Sequence, residues 1–304
     1  MIINLYSQAL VDDNAQLDLM AVVWAALQRG HILLTDPPYS GASASHPVER
    51  WLAPLPAPIA EDVRLLLESH TVQATTTPYQ TTLHVHESGH ELELSWPDLH
   101  LPCDRAAAFA LRPLSVLLED RRSDRAFLLA VAPRRWRQEL ERALHDGALE
   151  ILNGGGLGNM LHQVREHCDA ETAARLWVLF DSDADEPGAP SRDSNRLQQE
   201  CESLRAHGLG HHQLRARSIE NYLPLELLKT WASTVGDDAP SKVDRISAMG
   251  QQRRDHLRLK DELGKGLIAD LFIRYQFQIE ESWLRREGHY DEIREICESI
   301  IAHI

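Results

Sequence analysis

Basic residues are scarce in this chain: 31 Lys and Arg stand against 46 Asp and Glu in 304 residues, a formal net charge of −15. A protein that coats nucleic acid by electrostatics alone is excluded by that balance, because such binding needs many cationic contacts with phosphate. A site that holds cations is not excluded, since bound metal cancels part of the acidity. Cysteine is rare too. Cys103, Cys168, Cys201 and Cys297 lie far apart with no Cys-x-x-Cys, which argues against a disulfide framework and for a reduced, cytoplasmic protein. No apolar stretch approaches the ~20 residues of a membrane span, and the amino end lacks the basic start of a secretory signal. Gly and Pro stand at ordinary levels, and there is no internal repeat, low-complexity tract or P-loop lysine motif. At 43% hydrophobic and 304 residues, the chain can bury a sizeable core, and its length suggests about two domains.

What is present is acid at the ends of apolar runs. Leu176-Trp177-Val178-Leu179-Phe180 leads into Asp181-Ser182-Asp183-Ala184-Asp185. The run, bounded by Glu-Pro-Gly-Ala-Pro-Ser, reads as a central strand of an α/β sheet, and such sheets carry their chemistry just beyond the strand's carboxyl end. In extended backbone the alternation throws Asp181, Asp183 and Asp185 to one side. Carboxylates so placed suit a hard cation such as Mg2+. Upstream, Leu114-Ser115-Val116-Leu117-Leu118 is followed by Glu119-Asp120-Arg121-Arg122-Ser123-Asp124, read as strand, tight turn and helix. Ser123 or Asp124 is expected to cap that helix. Glu119 has no such plain explanation, since a glutamate ending an apolar strand gains nothing from burial unless something positive meets it.

Between them, Leu149-Glu150-Ile151-Leu152-Asn153 runs into Gly154-Gly155-Gly156-Leu157-Gly158-Asn159 and an amphipathic helix through Cys168. Glycines let backbone approach either a phosphate or a neighbouring strand, and the helix start favours an anion. Gly154, Gly155 and Gly156 are therefore candidate substrate contacts, with a plain tight turn as the competing reading.

The order Glu, Gly-rich, Asp-x-Asp resembles the Toprim domain, the metal-binding α/β module of topoisomerases, primases and a set of nucleases, over about residues 112–232. The chain departs from the family in having Asp120 where Gly commonly follows the glutamate. Arg217-Ser218-Ile219-Glu220-Asn221-Tyr222-Leu223-Pro224 is similar to the Ile-Glu-Asn-Tyr-Leu segment of proteins like the OLD (overcoming lysogenization defect) nucleases. The resemblance implies a mostly parallel α/β sheet flanked by helices and a Mg2+- or Mn2+-dependent nuclease acting on DNA or RNA, tRNA included. Glu119, Asp181 and Asp183 would bind metal, with Asp185 and Glu220 completing or orienting a second position, in a two-metal displacement. A lysine after the acidic core is also implied, and Lys260 and Lys265 are the candidates. Small proteins of this kind are often anti-phage effectors that depend on a separate ABC-type ATPase. A helix-start role for Glu220 competes with the site role.

Three segments follow: an amino-terminal α+β domain at 1–110, a catalytic domain at 111–234 and a carboxyl-terminal helical extension at 235–304, after a Gly236-Asp237-Asp238-Ala239-Pro240-Ser241 linker. In the first, Ala15–Arg29 is expected as a helix, Ile32–Leu34 as a strand, and a further helix ends near His70. Thr81–Val85 and Glu91–Trp96 are expected to pair as a hairpin across Glu87-Ser88-Gly89. His84 and His86 share a face of it with His90 beyond, but no Cys joins them and the strand reads as solvated rather than zinc-binding. In the last segment, Leu267, Ile268, Leu271 and Phe272 form one apolar band and Ile293, Ile296, Ile300 and Ile301 another, covering the sheet or making a homodimer contact. Arg215 and Arg217, and Arg253-Arg254 through Lys260, are candidate phosphate-backbone contacts, whereas Arg134–Arg137 reads as pairing with Glu139 and Glu141. Two other functions stay open: a haloacid dehalogenase-like phosphatase with Asp181 as nucleophile and Asp183 as acid, and a non-catalytic Toprim-fold sensor or partner-binding protein, which the Asp120 departure favours.

Overall fold

The five-residue apolar run Leu176–Phe180 becomes a middle strand of a parallel sheet, as the burial of both its faces demands. The computed structural model describes residues 1–304 except 42, 76–80, 167–169, 236–237 and 265–269, and it holds two mostly parallel sheets flanked by helices. The first contains β1 (Ile2–Tyr6), β2 (Ile32–Asp36), β3 (Thr82–His86), β4 (Glu93–Ser95) and β5 (Asp98–Pro102), in the order β2-β1-β3-β5-β4. The second contains β6 (Leu114–Leu118), β7 (Leu149–Asn153), β8 (Leu176–Phe180) and β9 (Gly210–Gln213), all parallel, in the order β7-β6-β8-β9. Among the described residues no helix is long and apolar enough to cross a membrane, and Cys103, Cys201 and Cys297 are free and buried.

Every residue of β8 is buried, and its side chains divide between two cores. Trp177 and Leu179 pack with Leu271, Phe272, Ile293, Ile296 and Ile300. Leu176, Val178 and Phe180 pack on the other face with Met160, Val164 and Leu197. At roughly 1.5–3 kcal/mol for each fully buried large apolar side chain, this double coverage pins β8 in place. The carboxyl-terminal helices thus cover one side of the second sheet. Leu267 and Ile268, assigned to the same band, lie outside the described residues. Glu292, on the helix Tyr290–His303, ties that helix to the sheet: it accepts from His212 Nε2, the Arg215 amide and the Tyr222 hydroxyl, each at 2.8 Å.

The amino-terminal piece, expected as α+β, is built on a mostly parallel sheet of its own. Ile3, Leu5, Leu83, Val85, Leu99 and Leu101 point from it to one core, which also takes in the helices Gln16–Arg29 and Cys103–Leu111. The expected hairpin is wrong. β3 pairs in parallel with β1 and β5, one on each edge, so it has no edge left for β4, which pairs antiparallel with the far edge of β5. The turn falls at Trp96-Pro97 and not at Glu87-Ser88-Gly89.

Candidate functional site

Parallel neighbours release their following residues at the same edge of a sheet. Leu118 of β6 lies opposite Leu179 of β8 and Asn153 of β7, so Glu119, Asp181 and Gly154 all emerge together at the carboxyl end of the second sheet. This is where α/β sheets place their chemistry.

The acids there perturb one another. Burial raises the pKa of Glu119 to about 7, with Asp124 and Asp183 adding to the shift and Lys260 opposing it. Asp181 is raised well above the carboxylate range, chiefly by burial and then by Glu119, Glu220 and Asp124. Asp124 is raised to about 6, again mainly by burial. A buried cluster of like-charged groups that resists ionisation marks a functional site more often than a structural one. Glu119 Oε2 is buried with no hydrogen-bond partner, whereas Asp181 Oδ1 accepts from the Ile219 amide at 3.2 Å. An unsatisfied buried carboxylate oxygen is costly, and its natural partner is a cation.

Lys260 and Glu220 complete the charged group. Glu220 is buried in the short 3-10 helix Ile219–Tyr222, where its carboxylate accepts from Ser218 Oγ at 2.7 Å and pairs with Lys260 Nζ at 2.9 Å. Its two readings coexist, since the same helix start is closed by a reciprocal cap between Ser218 and Asn221. Burial by itself would lower the pKa of Lys260; Glu220, with Asp181 and Glu119 behind it, outweighs that and raises it, so the ammonium stays charged. Lys265 lies outside the described residues.

Other expected members stand elsewhere. Asp183 adopts φ +51°, a left-handed backbone, and its amide donates to the Arg217 carbonyl at 2.9 Å. That turn ends the alternation that would have aligned three acids. Asp185 is exposed and pairs with Arg217 and with Arg258, the latter at 3.1 Å, which hold its pKa down. Asp185 is therefore an ion-pair residue of the loop, not a neighbour of Glu119. Arg217 pairs with Asp185 and Asp183, and Arg215 donates to Glu295 at 2.6 Å, so both guanidiniums have acidic partners within the fold. Arg135 pairs with Glu139.

The glycine loop is the tight-turn alternative. The amides of Gly154 and Gly155 donate to the carbonyls of Leu118 and Glu119, at 2.6 and 2.9 Å, so they brace the strand that presents Glu119 and are not available to a substrate. A Cβ on Gly154 would stand 2.8 Å from the Leu118 carbonyl and 2.3 Å from Met160 Cγ. Gly154→Ala is expected to cost about 1–3 kcal/mol, the usual penalty of overpacking, in urea unfolding. Gly156→Ala, in open space but at φ +96°, should show backbone strain alone.

Asp124 is the member that sequence reasoning missed. It does not cap the helix Ser123–Val131, and neither does Ser123. Asp120 Oδ1 does that work, accepting from the amides of Arg122 and Ser123 at 3.0 and 2.7 Å, while Asp124 Oδ2 turns back to the Asp120 amide at 2.9 Å. Asp120 is thus engaged at a helix start, with its pKa lowered first by the Ser123 amide, and its charge adds to the upward shift of Asp124. The only early sign of Asp124 was its place one turn after Glu119.

Glu119, Asp181 and Asp183 fit a hard divalent cation by donor type and by the orphaned oxygen of Glu119. Asp183 raises Glu119 and Glu119 raises Asp181, but the oxygens of the three do not all lie within 4.8 Å, a spacing that among the described residues is met only by His86, Glu87 and His90. Like-charged oxygens keep apart, and a cation between them is what closes such a set. No family model matches this chain, and comparison with curated proteins and with solved structures found no match to either.

Proposed function

We propose that this chain is a divalent-metal-dependent phosphodiesterase of the Toprim type, acting on DNA or RNA. The observation that carries the reading is the unpartnered, buried Oε2 of Glu119, set beside Asp181 at the carboxyl end of adjacent central strands. Glu119, Asp181 and Asp183 would hold Mg2+ or Mn2+, with Asp124 behind them. The bound cation would supply charge stabilisation and an activated water at the phosphate. Glu220 holds Lys260 at the rim, where its ammonium can approach a nonbridging phosphate oxygen. The Ile219 amide orients Asp181, and the glycine loop orients Glu119. An effector role in anti-phage defence, and dependence on a separate ABC-type ATPase, belong to the same proposal by analogy alone.

The sensor reading rests on Asp120, which serves the helix start and adds to the upward shift of Asp124. The phosphatase reading leaves Glu119 idle. The test is incubation of the chain with plasmid, linear DNA and total tRNA in Mg2+ or Mn2+, beside Glu119→Ala and Asp181→Ala. Metal-dependent products from the parent and none from either variant are expected; equal cleavage by parent and variants would refute the site. Phosphomonoester release that persists in Glu119→Gln would favour the phosphatase.

A further inference from the structure

Parallel sheets are normally covered on both faces. The amino-terminal sheet packs most of its apolar residues on one side; the other carries Ile32 and Leu34 on the edge strand and Asn4, Tyr6, His84, His86 and His100 across β1, β3 and β5, mostly half-buried. The parallel pairing of β3 with β5 sets His84 directly beside His100, a juxtaposition that a β3–β4 hairpin would not give. His86 stacks on His90 with ring centroids 3.9 Å apart, and His84 stacks on His100 at 4.4 Å. Ligand atoms of His86, Glu87 and His90 all lie within 4.8 Å of one another. One more polar atom in the group is unexplained: His84 Nδ1 is buried without a hydrogen-bond partner, although Nε2 faces Asp98 Oδ1 at 3.3 Å.

We propose that this face holds a borderline divalent transition metal, zinc in the first instance, on His86, Glu87 and His90, with His100 orienting His86. Imidazole and carboxylate donors suit such an ion better than they suit magnesium. His86 Nε2 stands 2.8 Å from His100 Nδ1. Two imidazole nitrogens on one tetrahedral zinc would stand about 3.3 Å apart, from Zn–N bonds of about 2.05 Å. The observed contact is a hydrogen bond, of the kind that metal-ligating histidines commonly make through their second ring nitrogen. Three protein ligands leave a fourth position to water or to a ligand. Glu87 and His90 are partly exposed, so an ion can enter from solvent.

The site is independent of the acids at the carboxyl end of the second sheet, and the experiment keeps the two apart. Zn2+ is titrated calorimetrically into the full chain and into its Asp181→Asn form at pH 7.5, with Co2+ absorption as a readout of ligand field. One equivalent of zinc with the same affinity in both is expected. Binding should weaken about tenfold or more in His86→Ala and in His90→Gln; the second variant changes a side chain that is one-third exposed, which guards against misfolding as the explanation, with circular dichroism as the check. No uptake up to about 100 µM free zinc, unchanged binding in both histidine variants, or loss of binding in Asp181→Asn would each overturn the proposal.

Discussion

Asp181→Asn is expected to unfold at a higher urea concentration than the parent at pH 7.5, by on the order of 2–4 kcal/mol, while losing cleavage by on the order of a thousandfold. Asparagine keeps the oxygen that accepts from Ile219, so the local hydrogen bonding survives. What disappears is a charge that burial and three acidic neighbours make costly. Stability and activity are thereby set against each other at one residue, as is common where a site stores electrostatic strain.

The pH dependence follows from the direction of the shifts. Glu119 and Asp124 titrate at about 7 and about 6 in the folded chain, above their ordinary values of 4.5 and 3.8. The folded state therefore holds their protons more tightly than the unfolded state does. The stability contributed by these two groups is greatest below their unfolded pKa values, falls as pH climbs through the window from about 4 to 7, and levels off above it. Glu119 alone contributes up to about 3 kcal/mol to that fall. The advantage of Asp181→Asn should shrink toward zero as pH drops to about 3, because aspartate is then largely protonated in both states. Mg2+ should offset the parent's penalty at pH 7.5, adding about 2.7 kcal/mol at a hundred times its Kd, and should do little for the variant. A variant less stable than the parent at pH 7.5 would refute the crowding of acids on which the site rests.

Glu292→Ala is expected to cost about 3–5 kcal/mol. Three donors converge on this buried carboxylate, and truncation leaves His212, the Arg215 amide and the Tyr222 hydroxyl unpaired together. Burial on its own would raise the pKa of Glu292; the His212 contact, the Arg215 amide and Tyr222 outweigh it and lower the value. Its contribution is therefore present above the unfolded carboxylate pKa and is lost as pH falls below about 4.3. The effect should reach the site, because Tyr222 shares its short helix with Glu220 and Ile219, whose contacts fix Lys260 and Asp181. Urea unfolding measures the first effect and cleavage rate the second. A loss below about 1 kcal/mol would show that water replaces the carboxylate, contrary to the burial seen.

The strands that carry Glu119 and Asp181 were legible because runs apolar at four of five positions in Leu114–Leu118 and at all five in Leu176–Phe180 are best satisfied by cover on both faces. Glu220 and Lys260 were legible as candidates, though their ion pair joins residues forty apart in sequence and no local pattern shows it. Asp185 was misplaced for a backbone reason: alternation holds while the chain is extended, and the left-handed turn at Asp183 ends it. Asp120 and Asp124 exchanged their expected roles, since either spacing can cap a helix and only the turn geometry decides. The hairpin failed because alternation reports which face a residue takes, never which strand lies beside it.

Sterics narrow the evolutionary drift open to position 183 before chemistry has a say. A left-handed backbone is comfortable for glycine, asparagine and aspartate and strained for nearly everything else. Of these three only aspartate carries a negative charge, and the other two are single-nucleotide neighbours of its codons. A lineage released from selection on cleavage would therefore slide most easily to Asn or Gly there, and would keep a well-formed loop after its anion had gone.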